Sequence, residues 1–212
     1  MKMSWPSMIR VLGFGDSLTA GTPGYDPELK EGDEESQYSY WLEKRALEEA
    51  DLDVRFENRG VPGELAQNMF PRMKRILRGR GAVYDVAVIL GGSNDIGWGY
   101  SIDAVVSAVT GLWDVCLEEG IPVIGCTIPP IAHIFGGIQS MQANINRLLT
   151  EAISERERAL LVDLFTPLSD DNRLLRPEYD SGDGLHLSVS GYRRMGEAIW
   201  NLGVKKIRPY LP

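Results

Sequence analysis

Two hydrophobic rhythms alternate along the chain. Short apolar or β-branched runs occur at 9–12, 54–57, 86–90, 122–126 and 160–162. Between them, apolar residues return every three or four positions. Ile102, Val105, Val106, Val109, Leu112, Trp113 and Cys116 form one such stripe, and Ile138, Met141, Ile145, Leu148, Leu149 and Ala152 another. The first rhythm predicts buried strands and the second amphipathic helices. Val189, Tyr192, Met195 and Ile199 predict a last helix with Ser188 as its N-cap. Residues 38–50 also read as a helix. Residues 64–78 have helical spacing, but Pro71 is expected to kink or split them.

Five strand–helix alternations predict an α/β fold with a parallel sheet of about five strands, covered by helices on both faces. Such a sheet binds ligands beyond the carboxyl ends of its strands. Ser17 and the segments 58–63, 91–95 and 127–135 each follow a predicted strand, so all four are expected on one rim. The stretch 22–37, TPGYDPELKEGDEESQ, is rich in acids, Pro and Gly and reads as a long exposed loop.

Composition narrows the partners. The chain has 212 residues, which suits one domain over 1–212. Thirty acids against 22 bases leave a net charge of −8, which repels phosphate backbones and argues against nucleic acid. No apolar run is long enough for a membrane span. The start, MKMSWPSMIR, lacks an apolar core segment and a small-residue cleavage site, so a cytoplasmic protein is expected. Cys116 and Cys126 sit among apolar residues and are expected to be reduced and buried.

Four motifs carry chemistry: GDSL at 15–18, NRGVPG at 58–63, GGSND at 91–95 and DGLHLS at 183–188. Taken in order and at strand ends, they resemble the SGNH hydrolases, the GDSL esterase and lipase family, over about residues 9–199. The resemblance implies a three-layer α/β/α sandwich with a five-stranded parallel sheet in flavodoxin-like order. Its four signature residues would be Ser17, Gly60, Asn94 and His186.

The residues themselves support a matching reading. A serine hydroxyl needs a base to become a nucleophile. The chain holds two histidines, His133 and His186. Asp183 lies three residues before His186 in a glycine-containing loop, where its carboxylate can orient the imidazole; Asp180 is a rival acid. Gly60 lacks a Cβ and can bring its N–H close, and Asn94 offers a side-chain amide. By resemblance, these two and the Ser17 N–H form the oxyanion hole. Each has a plainer reading: Ser17 as a helix cap, Gly60 as a turn glycine, Asn94 as an Asx-turn residue. Asp16 and Asp95 are read as structural, bonding loop amides.

Other chemistry lacks its signature. There is no Gly-x-Ser-x-Gly elbow, no phosphate-binding loop and no dinucleotide fingerprint. Two histidines far apart make a metal site improbable. The expectation is therefore cofactor-free hydrolysis of a carboxylic ester through an acyl-enzyme on Ser17. Carbohydrate O-deacetylation and thioester cleavage are the alternatives, and a binding module without turnover is the rival from another class. Trp98, Tyr100, Ile131, Ile134 and Phe135 suggest an apolar pocket wall for a small-molecule or carbohydrate ester, although core packing explains each equally well; His133 is expected to line the pocket mouth or to face solvent, and Trp98, His133 and Ile134 are the candidate substrate-binding residues.

Overall fold

The computed structural model of the chain describes residues 6, 8–78, 83–133 and 136–211. Five strands form one parallel sheet: β1 (Met8–Gly15), β2 (Asp53–Gly60), β3 (Val86–Leu90), β4 (Val123–Cys126) and β5 (Ala159–Val162). Their order is β2-β1-β3-β4-β5, the flavodoxin-like order. All five predicted strands are present, and β1 and β2 run on past their apolar runs to glycines that pair with each other, Gly15 with Gly60. The two strand ends that carry GDSL and NRGVPG therefore leave the sheet side by side.

Alternation along the strands builds two cores. Ile9 and Val11 of β1 and Val86, Val88 and Leu90 of β3 face one layer. It is closed by α2 (Tyr38–Ala50) and α8 (Val189–Ala198) through Tyr38, Leu42, Tyr192 and Met195. Leu12, Phe14, Ala87 and Ile89 face the other layer. It is closed by α3 (Ala66–Leu77), α5 (Ile102–Glu118) and α6 (Ile138–Ser154). Trp113 of α5 is fully buried there and packs directly on Gly125 of β4, where a Cβ would come within 2.8 Å of its ring. Such a ring contributes about 3–5 kcal/mol against truncation to Ala. Shorter helices include α1 (Ser17–Ala20), α4 (Ser93–Gly97) and α7 (Phe165–Leu168). The last helix continues from α8 into a π-helical turn, Ile199–Val204.

Two expectations are corrected. α3 runs through Pro71 as one helix. Pro71 lies on the exposed side, whereas Ala66, Met69, Met73 and Leu77 keep an unbroken buried stripe against the sheet. Nor is the segment 22–37 a bare loop. It holds a two-stranded hairpin, Tyr25–Asp26 against Glu31–Gly32, and a 3-10 turn, Glu34–Ser36. Side chains read as loop markers build these turns: Asp26 accepts from the N–H groups of Glu28 and Leu29, and Asp33 from that of Glu35.

Cys116 and Cys126 are free and buried, and burial pushes the Cys116 thiol up to about 12 and the Cys126 thiol up as well. Among the described residues, no helix is long and apolar enough to cross a membrane.

Candidate active site

The end of β1 and the single turn of α1 position Ser17. The N-cap of α1 is Asp16, whose Oδ1 accepts from the Leu18 N–H at 3.0 Å. Ser17 is thus the first helical residue and not the cap, which frees its hydroxyl for another partner. That partner is His186: Nε2 lies 2.9 Å from Ser17 Oγ. Ser17 is only 5% exposed.

His186 is held by its own loop. Asp183 Oδ1 accepts from the N–H groups of Leu185 (2.9 Å) and His186 (2.8 Å), closing the turn. Its second oxygen, Oδ2, lies 2.6 Å from His186 Nδ1. One carboxylate therefore builds the turn and orients the ring, which is what the three-residue spacing makes possible. Burial raises the Asp183 pKa, but the bonds from the His186 ring and the two amides outweigh it and hold the group at about 2. The rival Asp180 serves the loop, accepting from the N–H groups of Gly182 and Gly184 at 2.9 Å each. His133 is exposed and stands against Gly184, where a Cβ would come within 2.6 Å of its ring. Ile134 and Phe135 lie outside the described residues.

The donors near Ser17 are arranged differently from the sequence expectation. The Gly60 N–H is engaged by Asn58 Oδ1 at 3.0 Å. The free N–H in this loop belongs to Gly63, for which no acceptor exists among the described residues. Glu64 N–H bonds Val61 O at 3.2 Å across Pro62 and Gly63, and Gly63 has φ +75°. This is the Pro-Gly order of a type II turn, which needs a glycine at that φ. The Ser17 N–H likewise has no acceptor among the described residues. Asn94, in α4, donates from Nδ2 to Glu64 O at 3.0 Å, which fixes its amide beside the Gly63 turn and leaves its second hydrogen unpartnered among the described residues. Val61 N–H bonds Gly15 O at 3.0 Å, two residues before Ser17.

Arg72 reinforces this arrangement and has no motif to announce it. Its guanidinium pairs with Glu64, donates to Arg59 O (2.7 Å) and Gly15 O (3.2 Å), and stacks 3.9 Å above the Phe14 ring. Cavities of about 590 and 430 Å³ flank the edge strand β2 rather than Ser17; the smaller is lined by Gly60, Val61 and Pro62. Trp98 follows α4 and is 77% exposed. Among the described residues, no group of three His, Cys, Asp or Glu side chains could hold a metal ion.

Asp16 and Asp95 are both fully buried, and both bond amides as expected: Asp95 Oδ2 accepts from the Ala66 N–H at 2.8 Å. Burial pushes Asp16 up to about 7; the Leu18 amide and His186 pull it down, and Asp95 adds to the rise. A carboxyl raised in the fold binds its proton more tightly there than in the unfolded chain. Its stabilising contribution is full below about pH 4 and is lost as pH rises through about 7. Asp16→Asn removes that loss. Its melting temperature is expected to gain on the wild type by several degrees between pH 4 and pH 7; a difference independent of pH would show that Asp16 does not titrate in this window.

A search of curated proteins finds no match to the chain. Solved structures do match it in fold. A member of the lipolytic protein G-D-S-L family from Veillonella parvula is 20% identical, with a TM-score of 0.71 over 94% of this chain and 98% of that one. The acetyl xylan esterase AlAXEase is 21% identical, with a TM-score of 0.68 over 92% and 100%. The Clostridium thermocellum family 3 carbohydrate esterase is 20% identical, with a TM-score of 0.74 over 97% and 100%. Identities this low speak to the shared fold alone. The family model of the GDSL-like Lipase/Acylhydrolase family matches residues 14–194, from the end of β1 through the Asp183–His186 loop into α8, and the chain belongs to that family.

Proposed function

We propose that the chain is a serine esterase that hydrolyses carboxylic esters through an acyl-enzyme on Ser17. The observation that carries this reading is one continuous line of contacts, Asp183 Oδ2 to His186 Nδ1 at 2.6 Å and His186 Nε2 to Ser17 Oγ at 2.9 Å. In this reading Ser17 Oγ attacks the ester carbonyl carbon while His186 takes the hydroxyl proton. The tetrahedral intermediate collapses, and His186 returns the proton to the departing alcohol oxygen. A water, deprotonated by His186, then releases the acid and regenerates Ser17. Asp183 holds the ring and balances the imidazolium. The oxyanion takes hydrogen bonds from the Ser17 N–H, the free Asn94 amide hydrogen and the Gly63 N–H, which replaces Gly60 because Gly60's donor is engaged.

A second reading is carbohydrate O-deacetylation by the same chemistry. The broad indole of Trp98, four residues beyond Asn94 and 77% exposed, favours it, since an exposed aromatic face suits a sugar ring. Two of the similar folds carry carbohydrate-esterase names. Stopped-flow hydrolysis of p-nitrophenyl acetate tests the shared mechanism: a burst of chromophore equal to the enzyme concentration, then slower turnover, is expected. Binding without any release of chromophore would instead indicate a module that does not turn over. Acetylated xylo-oligosaccharides run beside the aryl ester separate the two substrate readings.

A further inference from the structure

Serine 17 rides on a helix of four residues, too short to hold itself, because one hydrogen-bonded turn does not repay the ordering of its own backbone. Something outside must hold it. Above, Asp16 caps its start. Below, Gly21 and Thr22 N–H groups bond Ser17 O at 3.0 and 3.1 Å. The carbonyl of its last residue, Ala20, has no place in that pattern and is one of the orphan acceptors of a helix end.

We propose that Asn58 is the positioning residue that fixes α1, and through it Ser17; the inference rests on the esterase reading. The Asn58 amide meets three groups at once. Nδ2 donates to Ala20 O at 3.2 Å and to Gln37 Oε1 at 3.0 Å, and Oδ1 accepts from the Gly60 N–H at 3.0 Å. Ala20 ends the nucleophile's turn, buried Gln37 sits at the start of α2, and Gly60 opens the loop that leads to Gly63. One side chain thus sets the distance between the nucleophile and a candidate oxyanion donor. Gly60 provides the seat: a Cβ there would fall on the backbone of Ala20, so α1 rests directly on the glycine. On the other side, His186 is fixed by Asp183 and by Ser188, whose Oγ caps α8 at 3.2 Å from Gly191 N. The Ser17–His186 contact therefore depends on α1 being held from the β2 side.

Asn58→Asp tests this with the least change of shape. It keeps the acceptor for Gly60 and replaces both amide hydrogens with an oxygen. Gln37 can turn its own amide round to donate; the Ala20 carbonyl cannot, and is left facing a carboxylate. Expected are a fall of about 10–100-fold in kcat with KM within about twofold, and a parallel fall in the rate at which diethyl p-nitrophenyl phosphate labels Ser17. The kcat–KM split is the readout that a merely structural role would not produce. Amide exchange adds an arm that needs no activity: Gly21 and Thr22 should lose protection in the variant while the amides of β1 and β3 keep theirs. Unchanged protection at Gly21 and Thr22, or unchanged labelling and kcat, overturns the inference and leaves the esterase reading standing. A wild type that hydrolyses no ester and takes no label overturns the esterase reading and the catalytic half of this inference with it. The exchange result then still decides whether Asn58 holds α1.

Discussion

Replacing Ser17 by Ala is expected to lower kcat by at least about 10³-fold, because members of a nucleophile–base pair act as a unit and loss of one removes the covalent route. KM should change little, since the hydroxyl contributes to bond formation rather than to substrate binding. The fold should survive. The side-chain bond of Ser17 is to His186, whereas α1 is capped by Asp16 and closed by Gly21. A melting temperature within about 2 °C of the wild type is therefore expected. A Ser17→Ala protein with normal turnover would remove the nucleophile from the account. A protein that lost turnover together with its fold would fail as evidence for chemistry, so both quantities are measured on the same preparation.

Asn94→Ala is expected to have the second-largest effect. If its free amide hydrogen meets the oxyanion, its contribution grows as charge develops on the carbonyl oxygen. Removing one such donor typically costs about 10²–10³ in kcat, or about 3–4 kcal/mol, with KM nearly unchanged. The competing role is a brace, since Nδ2 also donates to Glu64 O. Loss of one such neutral bond costs about 1 kcal/mol, which lowers the melting temperature by about 2–4 °C in a chain of this size. The two roles therefore separate by magnitude and by observable. A pure brace predicts a small thermal shift and nearly normal kcat well below the transition. The oxyanion role predicts the same small thermal shift with a loss of two to three decades in kcat. Asn94→Asp should be no better than Ala, because a carboxylate repels the oxyanion and cannot donate to Glu64.

Much of this arrangement is legible in the chain. Parallel strands buried on both faces read as uninterrupted apolar runs, and Val86–Leu90 is such a run in the sequence and a fully buried strand in the fold. Asp183 and His186 are legible because both partners lie within one turn, so spacing alone brings them together. What is not legible depends on distance along the chain. In NRGVPG the local cues, Asn58 two residues before Gly60 and Pro62 directly before Gly63, mark both glycines as turn positions without telling which N–H stays free. The distinction arises because Asn58 occupies one N–H, α1 rests on one Cα, and Pro62 sets the turn that frees the other. Asn58 itself reads as an ordinary strand-end polar residue, since Ala20 and Gln37 are 38 and 21 residues away. Pro71 misleads for a related reason: a helix breaker is judged from its own turn, while the buried stripe that carries α3 past it belongs to the whole layer.

The central claim is that the ester's acyl group passes through Ser17 Oγ. The most direct measurement is acid quenching of the enzyme during turnover of p-nitrophenyl acetate, followed by proteolysis and mass spectrometry. The account predicts one acetyl group, on the peptide that spans GDSL and assigned by fragmentation to Ser17. It predicts no such adduct in Ser17→Ala. An acetyl group on another residue, or continued turnover with no covalent adduct at any quench time, would contradict it.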